Sequence, residues 1–486
     1  MNDSDNGKIL DVRSFSTNVL IFSFGQAVLL IFGFIQSLII PKYLSTADYG
    51  YWQIFLLCTT YVGILHFGFL DGILVRWAGK NIDDFKNEIG TAFRFILLEQ
   101  VIIVSILLAI IWLTDLPSRE IAFAVLINAI IINLFTFFIF IGQATKRFKL
   151  VTIANIANGF LFLISILIIF FGGYFSYVPL ILSFTVAGLI VVLFFIFYMR
   201  DALFNLTSSK MSMLEYGKHN IGVGLFILLG NFIAVIFTSI DRLTVGSFFP
   251  ITQFAVYAFA VTMGGLAMVF LQAVSQVFFP YLSESGTETR KRVYSLLRPV
   301  LVFFWAGILV FYFPFSVAIK YYLPQYGTSL PLIAILLCTI GFSGQILILH
   351  ANFFKVHLKQ RAYFIIAGVS LVGAVVLNLL AIFLFGTLTA VAVAAVVSFC
   401  LWYLLNEATL RHLVGIPNVE IFRWCFIIFA YISAFLGAYA VSETWIIGFC
   451  IYGVLFTIIT SVFLRKEIGH VWNQIIKIKK GKKEGI

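Results

Sequence analysis

Glu99 lies in the apolar run Phe93-Arg-Phe-Ile-Leu-Leu-Glu-Gln-Val101, five residues after Arg94. At the centre of a bilayer an ionisable side chain costs ~3 kcal/mol or more, so one that is kept marks an ion or substrate pathway or a paired partner. Two readings follow for Glu99: a proton or cation site in a cavity, or a charge paired with a neighbouring helix. Asp241 and Arg242 are adjacent at the end of another apolar run. Neighbouring helical residues point about 100° apart, so at most one of them faces a cavity centre. Asp241 joins Glu99 as a candidate ion-coupling carboxylate. Arg242 can attract a diphosphate or sugar hydroxyls, or the pair can snorkel outward as interfacial charges.

Arg76 follows Asp71 by five residues, whereas an intrahelical ion pair needs three or four. Its guanidinium is thus a candidate for a phosphate group at the inner mouth of the spans, which arginine grips bidentately. Simple enrichment of basic residues on the inner side accounts for it equally. Neutral amides suit a sugar cargo, because many weak hydrogen bonds hold it without trapping it. Gln26 (with Gln36 in the same run), Gln272 and Gln276 are the candidates, and interhelical glue is the competing role. Asn18, Asn155, Asn158, Asn231 and Asn378 read as packing residues. His66 and His350 also lie in apolar runs, where they either titrate near neutral pH or are hydrogen-bonded core residues.

The elements that hold these residues are fixed by composition. Of 486 residues, 62% are hydrophobic and 11% charged, with 56 Phe, against roughly 25% charged in soluble domains. Mean hydropathy is +1.06. Only a bilayer is a solvent for such a surface, so the fold class expected is all-α and polytopic. Runs of about 20 apolar residues, the length that crosses a ~30 Å hydrocarbon core, fall near 16–40, 52–74, 91–113, 120–142, 151–171 and 176–198. They continue at 220–242, 252–278, 296–318, 330–352, 363–384 and 387–406, and end with 422–441 and 444–464, about fourteen spans in all. The first run is too long for a signal-peptide core and no small-residue cleavage site follows it.

With the N-terminus inside, all 32 Lys and Arg but Lys42, Arg119, Arg242 and Lys320 fall on inner loops, adjoining span ends or tails. That bias puts both termini in the cytoplasm and accounts for most of the +11 charge. Charge spread over many loops is not the single patch of a nucleic-acid binder. The tail, with Val471, Trp472, Ile475, Ile476 and Ile478 among lysines, reads either as an interfacial basic helix or as a solvated positive segment. Five single cysteines inside apolar runs read as packing residues. The outer loops are short, no phosphate-cradling GxxxxGK[ST] occurs, and six dispersed His make no metal cluster, so an enzyme, a cofactor and a metal are not expected.

The chain repeats itself weakly. Ile40–Trp52 and Val245–Tyr257 share an aromatic, a short polar turn and an aromatic-rich helix start, and Lys146–Gly172 can be laid without a gap on Gln360–Gly386. Six spans per half make this a parallel repeat, as in transporters that rock two bundles about a central cavity. The halves are placed at 1–207 and 208–418, with an added helix pair at 419–464 and a basic tail at 465–486.

Pro41-Lys-Tyr-Leu-Ser-Thr-Ala-Asp-Tyr-Gly50 resembles the "R-x-L-G-x-x-x-Y-G" turn of bacterial polysaccharide flippases of the multidrug/oligosaccharidyl-lipid/polysaccharide exporter superfamily. Gly68–Arg76, Asp241–Phe249 with Ala255–Ala260, Phe279-Pro-Tyr-Leu-Ser283, and Asn378 with Phe385–Ala390 are similar to further turns and span ends of that family. Ser45 and Thr389 stand where the pattern has Gly, and the Pro that often opens the seventh span is missing from Tyr216–Asn220. The resemblance implies flipping of an undecaprenyl-diphosphate-linked O-antigen or exopolysaccharide unit across the bacterial inner membrane. Membrane lipids, and polysaccharide polymerase and chain-length machinery, are then the expected partners. A cation-coupled multidrug antiporter of the same superfamily is the alternative.

Overall fold

A computed structural model describes residues 12–465, 467 and 469, apart from 79, 115–117, 205–210, 284–285 and 416. Among these residues the regular structure is entirely helical. In chain order the helices are α1 (Val12–Tyr43), α2 (Thr46–Thr59), a 3₁₀ turn (Val62–His66), α3 (Phe69–Trp77), α4 (Ile82–Leu113), α5 (Arg119–Ala144), α6 (Phe148–Phe171), α7 (Tyr177–Tyr198), α8 (Arg200–Leu203) and α9 (Met213–Phe237). There follow α10 (Ile240–Phe248), α11 (Ile251–Ser283), α12 (Thr287–Tyr322), a 3₁₀ turn (Pro324–Ser329), α13 (Leu330–Gln345), a π turn (Ile346–His350) and α14 (Ala351–Val356). The chain then runs through α15 (Gln360–Phe385), α16 (Leu388–Val414), α17 (Asn418–Val441) and α18 (Trp445–Ile459), closing with a second π turn (Thr460–Leu464).

Twelve described helices are long and apolar enough to cross a membrane, and Thr46–His66 with Phe69–Trp77 make a thirteenth bent by 64°. Helix α11, with an apolar stretch at Ile251–Leu266, stands where the eighth span is expected. The protein is an all-α, multi-pass membrane protein. Several spans differ from their expected form: the third and ninth each start nine residues early, at Ile82 and Thr287, and the tenth is interrupted by the π turn. The second is broken at 67–68. The seventh starts earlier, because Ser212 and Glu215 form a capping box that satisfies the free N–H groups of the first turn. The twelfth continues past 406 to Val414, where Gly415 closes it in the left-handed region.

The residues cluster into two compact units, Met1–Ser239 and Ile240–Ile486. In the first, Phe69, Ile73, Trp77, Phe85, Phe93, Phe137, Phe138 and Phe195 form a buried core. The outward faces stay apolar, as Val101, Ile102, Ile106 and Ile110 of α4 show, which suits lipid contact. In the second unit α18 lies tightly on α12: a Cβ at Gly448 would come within 2.3 Å of the Phe313 ring, and the Tyr452 hydroxyl donates to the Ala306 carbonyl at 2.9 Å.

Candidate functional site

In the first unit the second span unwinds inside the apolar zone. Phe67 (φ 44°) and Gly68 (φ 84°) both take left-handed backbone. A break at that depth frees carbonyls that have no water to turn to, so side chains must satisfy them. The Gln100 amide donates to the Leu65 carbonyl at 3.0 Å. The Asn133 amide donates to Val62 O at 3.2 Å and to Gln100 Oε1 at 2.8 Å. His66 accepts the Gly68 N–H on Nδ1 at 3.2 Å, and its Nε2 lies 3.9 Å from Asp71. Both side chains are buried.

Just beyond the break α3 meets α9 almost backbone to backbone. A Cβ at Gly72 would sit 2.0 Å from the Asn220 carbonyl oxygen, and one at Gly224 would sit 1.9 Å from that of Gly68. At the far end of α3, Arg76 grips Glu88 of α4 bidentately, at 2.9 and 3.0 Å. Trp77 and Tyr216 donate to the same carboxylate at 3.3 and 3.1 Å, and the guanidinium lies 5.0 Å from the centre of the Tyr216 ring. The structure therefore gives Arg76 a protein partner, and its fork can reach a phosphate only if Glu88 lets go.

Glu99 is half-buried on α4, with Oε2 shielded from solvent and without a hydrogen-bond partner. Its neighbour Gln100 carries the interhelical bonds, so Glu99 is not one of the residues that secure the break. Gln26 on α1 is half-buried. It adjoins Gly25, where α1 crosses α6 so closely that a Cβ would meet Thr152 at 2.3 Å.

In the second unit Asp241 and Arg242 open α10 and point differently. Asp241 is buried and accepts from the Tyr257 hydroxyl of α11 at 2.9 Å and from the Arg242 N–H at 2.8 Å. Arg242 is half-buried, with a shielded Nε that has no partner. The side chains of Gln272 and Gln276 lie outside the described residues.

A cluster that the sequence analysis did not assemble lies deeper in this unit. Arg298 of α12 donates through Nη2 to both Glu407 oxygens of α16. The Tyr294 hydroxyl donates to Glu407 at 2.7 Å and accepts from Arg298 at 2.8 Å. His350, at the end of the π turn, places Nε2 2.9 Å from the same carboxylate. Glu407 and His350 are wholly buried and Arg298 is 2% exposed. A buried carboxylate is tolerated only when paired and hydrogen-bonded, and here four elements converge to do so, since Trp424 of α17 lies under the guanidinium at 5.7 Å. With Nε2 donating to Glu407, His350 leaves Nδ1 without a partner, as are both amide atoms of wholly buried Asn406. Arg298 had been counted with the inner-side cations. Glu407 fell one residue beyond the expected twelfth span, which is why the pair was missed; an acid and a base in adjoining span ends were the available signal. Among the described residues no group of three His, Cys, Asp or Glu could hold a metal ion.

The sequence matches no protein-family model and has no significant match to a curated protein. Similar solved structures do exist. The lipid II flippase MurJ in an inward closed conformation superposes with a TM-score of 0.63 at 11% identity, covering 92% of this chain and 100% of that one. An inward-facing multidrug resistance MATE family transporter of the MOP superfamily gives 0.64 at 16%, over 80% and 94%. A MOP superfamily transporter from Pyrococcus furiosus gives 0.57 at 13%, over 82% and 95%. At these identities the likeness is one of fold: the chain has the fold of these transporters.

Proposed function

From a fold shared with a lipid II flippase and with multidrug transporters, we propose that this protein is a flippase. It moves an undecaprenyl-diphosphate-linked oligosaccharide, an O-antigen or exopolysaccharide unit, across the bacterial inner membrane by alternating access. The observation that carries the reading is the extent of the likeness. The lipid II flippase matches 92% of this chain and all of its own, whereas the first multidrug transporter matches 80%. The motif resemblance at 41–50, 68–76, 241–260 and 279–283 supports the same choice.

In this reading 1–207 and 208–418 are the working lobes, 419–464 is the added pair, and both termini are cytoplasmic. An inside-negative potential aids outward movement of an anionic head by ~2.3 kcal/mol per charge per 100 mV if the charge crosses the whole field. Glu99 and Asp241 are the candidate cation-coupling carboxylates. Arg242, Gln26, Gln272, Gln276 and, once released from Glu88, Arg76 are the candidate contacts to the sugar-diphosphate. Polymerase and chain-length machinery would take the product.

The test is surface polysaccharide in cells carrying Glu99→Gln or Arg242→Ala, with protein levels matched. Each variant should lose about tenfold in export, the consequence of ~1.4 kcal/mol. Full export in both removes these assignments. Drug resistance that is indifferent to sugar-lipid synthesis would favour the multidrug antiporter instead.

A further inference from the structure

The first unit carries a cavity of about 340 Å³ at one end of its spans, unconnected with any residue assigned above. Its walls come from the start of α4, the α5–α6 turn, and the end of α7 with α8. Cavities of this size hold small ligands or head groups. Two cations, Lys86 and Arg147, and two anions, Asp83 and Asp201, line it over a floor that includes Phe138 and Ile141.

The turn that builds it is held by three backbone bonds. Arg147 N–H donates to Gly142 O at 2.8 Å, Lys146 N–H to Gln143 O at 3.1 Å and Thr145 N–H to Ile141 O at 3.0 Å. They keep Lys146 at φ 57°, a conformation that costs a non-glycine residue, and they place Arg147 at the cavity. The opposite charges do not cancel one another. Among the described residues Lys86, Arg147 and Asp83 form no ion pair, and Asp201 pairs only with Arg200 outside the cavity, at 3.7 Å.

We propose that this cavity binds the head group of a phospholipid that is both phosphate and primary amine, a phosphatidylethanolamine. Four span ends meet here, which is head-group depth, where cationic side chains attract lipid phosphates. Lys86 and Arg147 take the phosphate. Asp83 and Asp201 share the three N–H donors of the ammonium, which a choline head group lacks. The apolar floor receives the glycerol end of the acyl chains. An anionic lipid would satisfy the cations but meet two carboxylates.

The test is lipid competition on the full-length protein, delipidated in detergent and measured by native mass spectrometry. The probes are phosphatidylethanolamine, phosphatidylcholine and phosphatidylglycerol. The wild type should retain phosphatidylethanolamine over both others. Asp83→Asn with Asp201→Asn should lose that preference, by about fivefold per charge removed (~1 kcal/mol each), and retain phosphatidylglycerol at least as well. Lys86→Ala with Arg147→Ala should weaken both phosphatidylethanolamine and phosphatidylglycerol. Thermal midpoints near wild type establish that the variants are folded; should the double variants fail that check, the single changes Asp83→Asn and Lys86→Ala are read in the same way. Equal retention of the three lipids by the wild type, or an unchanged preference in the Asp variants, overturns the proposal. So does displacement by soluble phosphoethanolamine as effective as by the lipid, which would make the ligand a free phosphate ester.

Discussion

At the scale of single residues, arginine holds a wholly buried carboxylate, Glu407, and a half-buried one, Glu88. Glu407 has Arg298, Tyr294 and His350 around it, and Glu88 has Arg76, Trp77 and Tyr216. Removing one member of a buried pair strands the other, at a cost of ~3–5 kcal/mol. Glu407→Gln should therefore lower the thermal midpoint sharply in detergent, while Arg298→Met combined with Glu407→Leu should recover much of the loss. A single variant as stable as wild type would mean that the cluster is not the desolvated pair described. The sequence showed every one of these residue types but not their meeting. Arg76 could be excluded from an intrahelical pair with Asp71 by spacing alone, yet its partner Glu88 lies in the next helix, beyond the reach of any local rule.

At the scale of elements, the multi-pass helical plan and the outward apolar faces were legible because a bilayer demands long apolar runs; of the fourteen spans expected, twelve described helices and one bent pair are long and apolar enough to cross. Breaks were not legible. The run at 52–74 is apolar throughout, and hydropathy cannot register that Phe67 and Gly68 turn left-handed while Gln100 and Asn133 repair the freed carbonyls. The glycines were the available sign. Gly224→Ala should destabilise the α3–α9 contact by about 1–3 kcal/mol or more, as overpacking against backbone does. Gly222→Ala on the same helix, where nothing lies within 4 Å of a Cβ, should be close to neutral. Equal midpoints for the two variants would contradict the close approach.

Two inter-helix turns share one form at this scale. The bonds that close the α5–α6 turn recur between α14 and α15: Lys359 N–H to Phe354 O at 2.9 Å, Leu358 N–H to Lys355 O at 3.1 Å and His357 N–H to Phe353 O at 3.0 Å. Leu358 takes φ 55°, as Lys146 takes 57°. Against the gap-free alignment read from sequence these turns are displaced by two residues at the near ends, where α15 is the longer helix; at the far ends Gly172 and Gly386 both follow the last helical residue, but Gly172 is right-handed and Gly386 left-handed. Leu358 is 81% exposed, so Leu358→Gly removes strain and little packing. It should raise stability by about 1 kcal/mol, read as a higher midpoint. A lower one would show that the leucine side chain contributes more than its backbone costs.

At the scale of the whole molecule, composition alone identified a multi-pass helical membrane protein, and the fold proves to be that of flippases and multidrug transporters. Cargo is less legible: the candidate contacts proposed for it, such as Glu99 and Arg242, are single polar groups at the ends or in the middle of long apolar runs, with no extended motif around them. The most direct test of the flippase account is transport in proteoliposomes that contain only this protein. The account predicts that fluorescent polyprenyl-diphosphate oligosaccharide becomes accessible on the opposite leaflet at a rate that depends on the protein, and that Glu99→Gln slows it. No translocation of the lipid-linked sugar, with a small cationic drug exchanged against protons in the same vesicles, would contradict it.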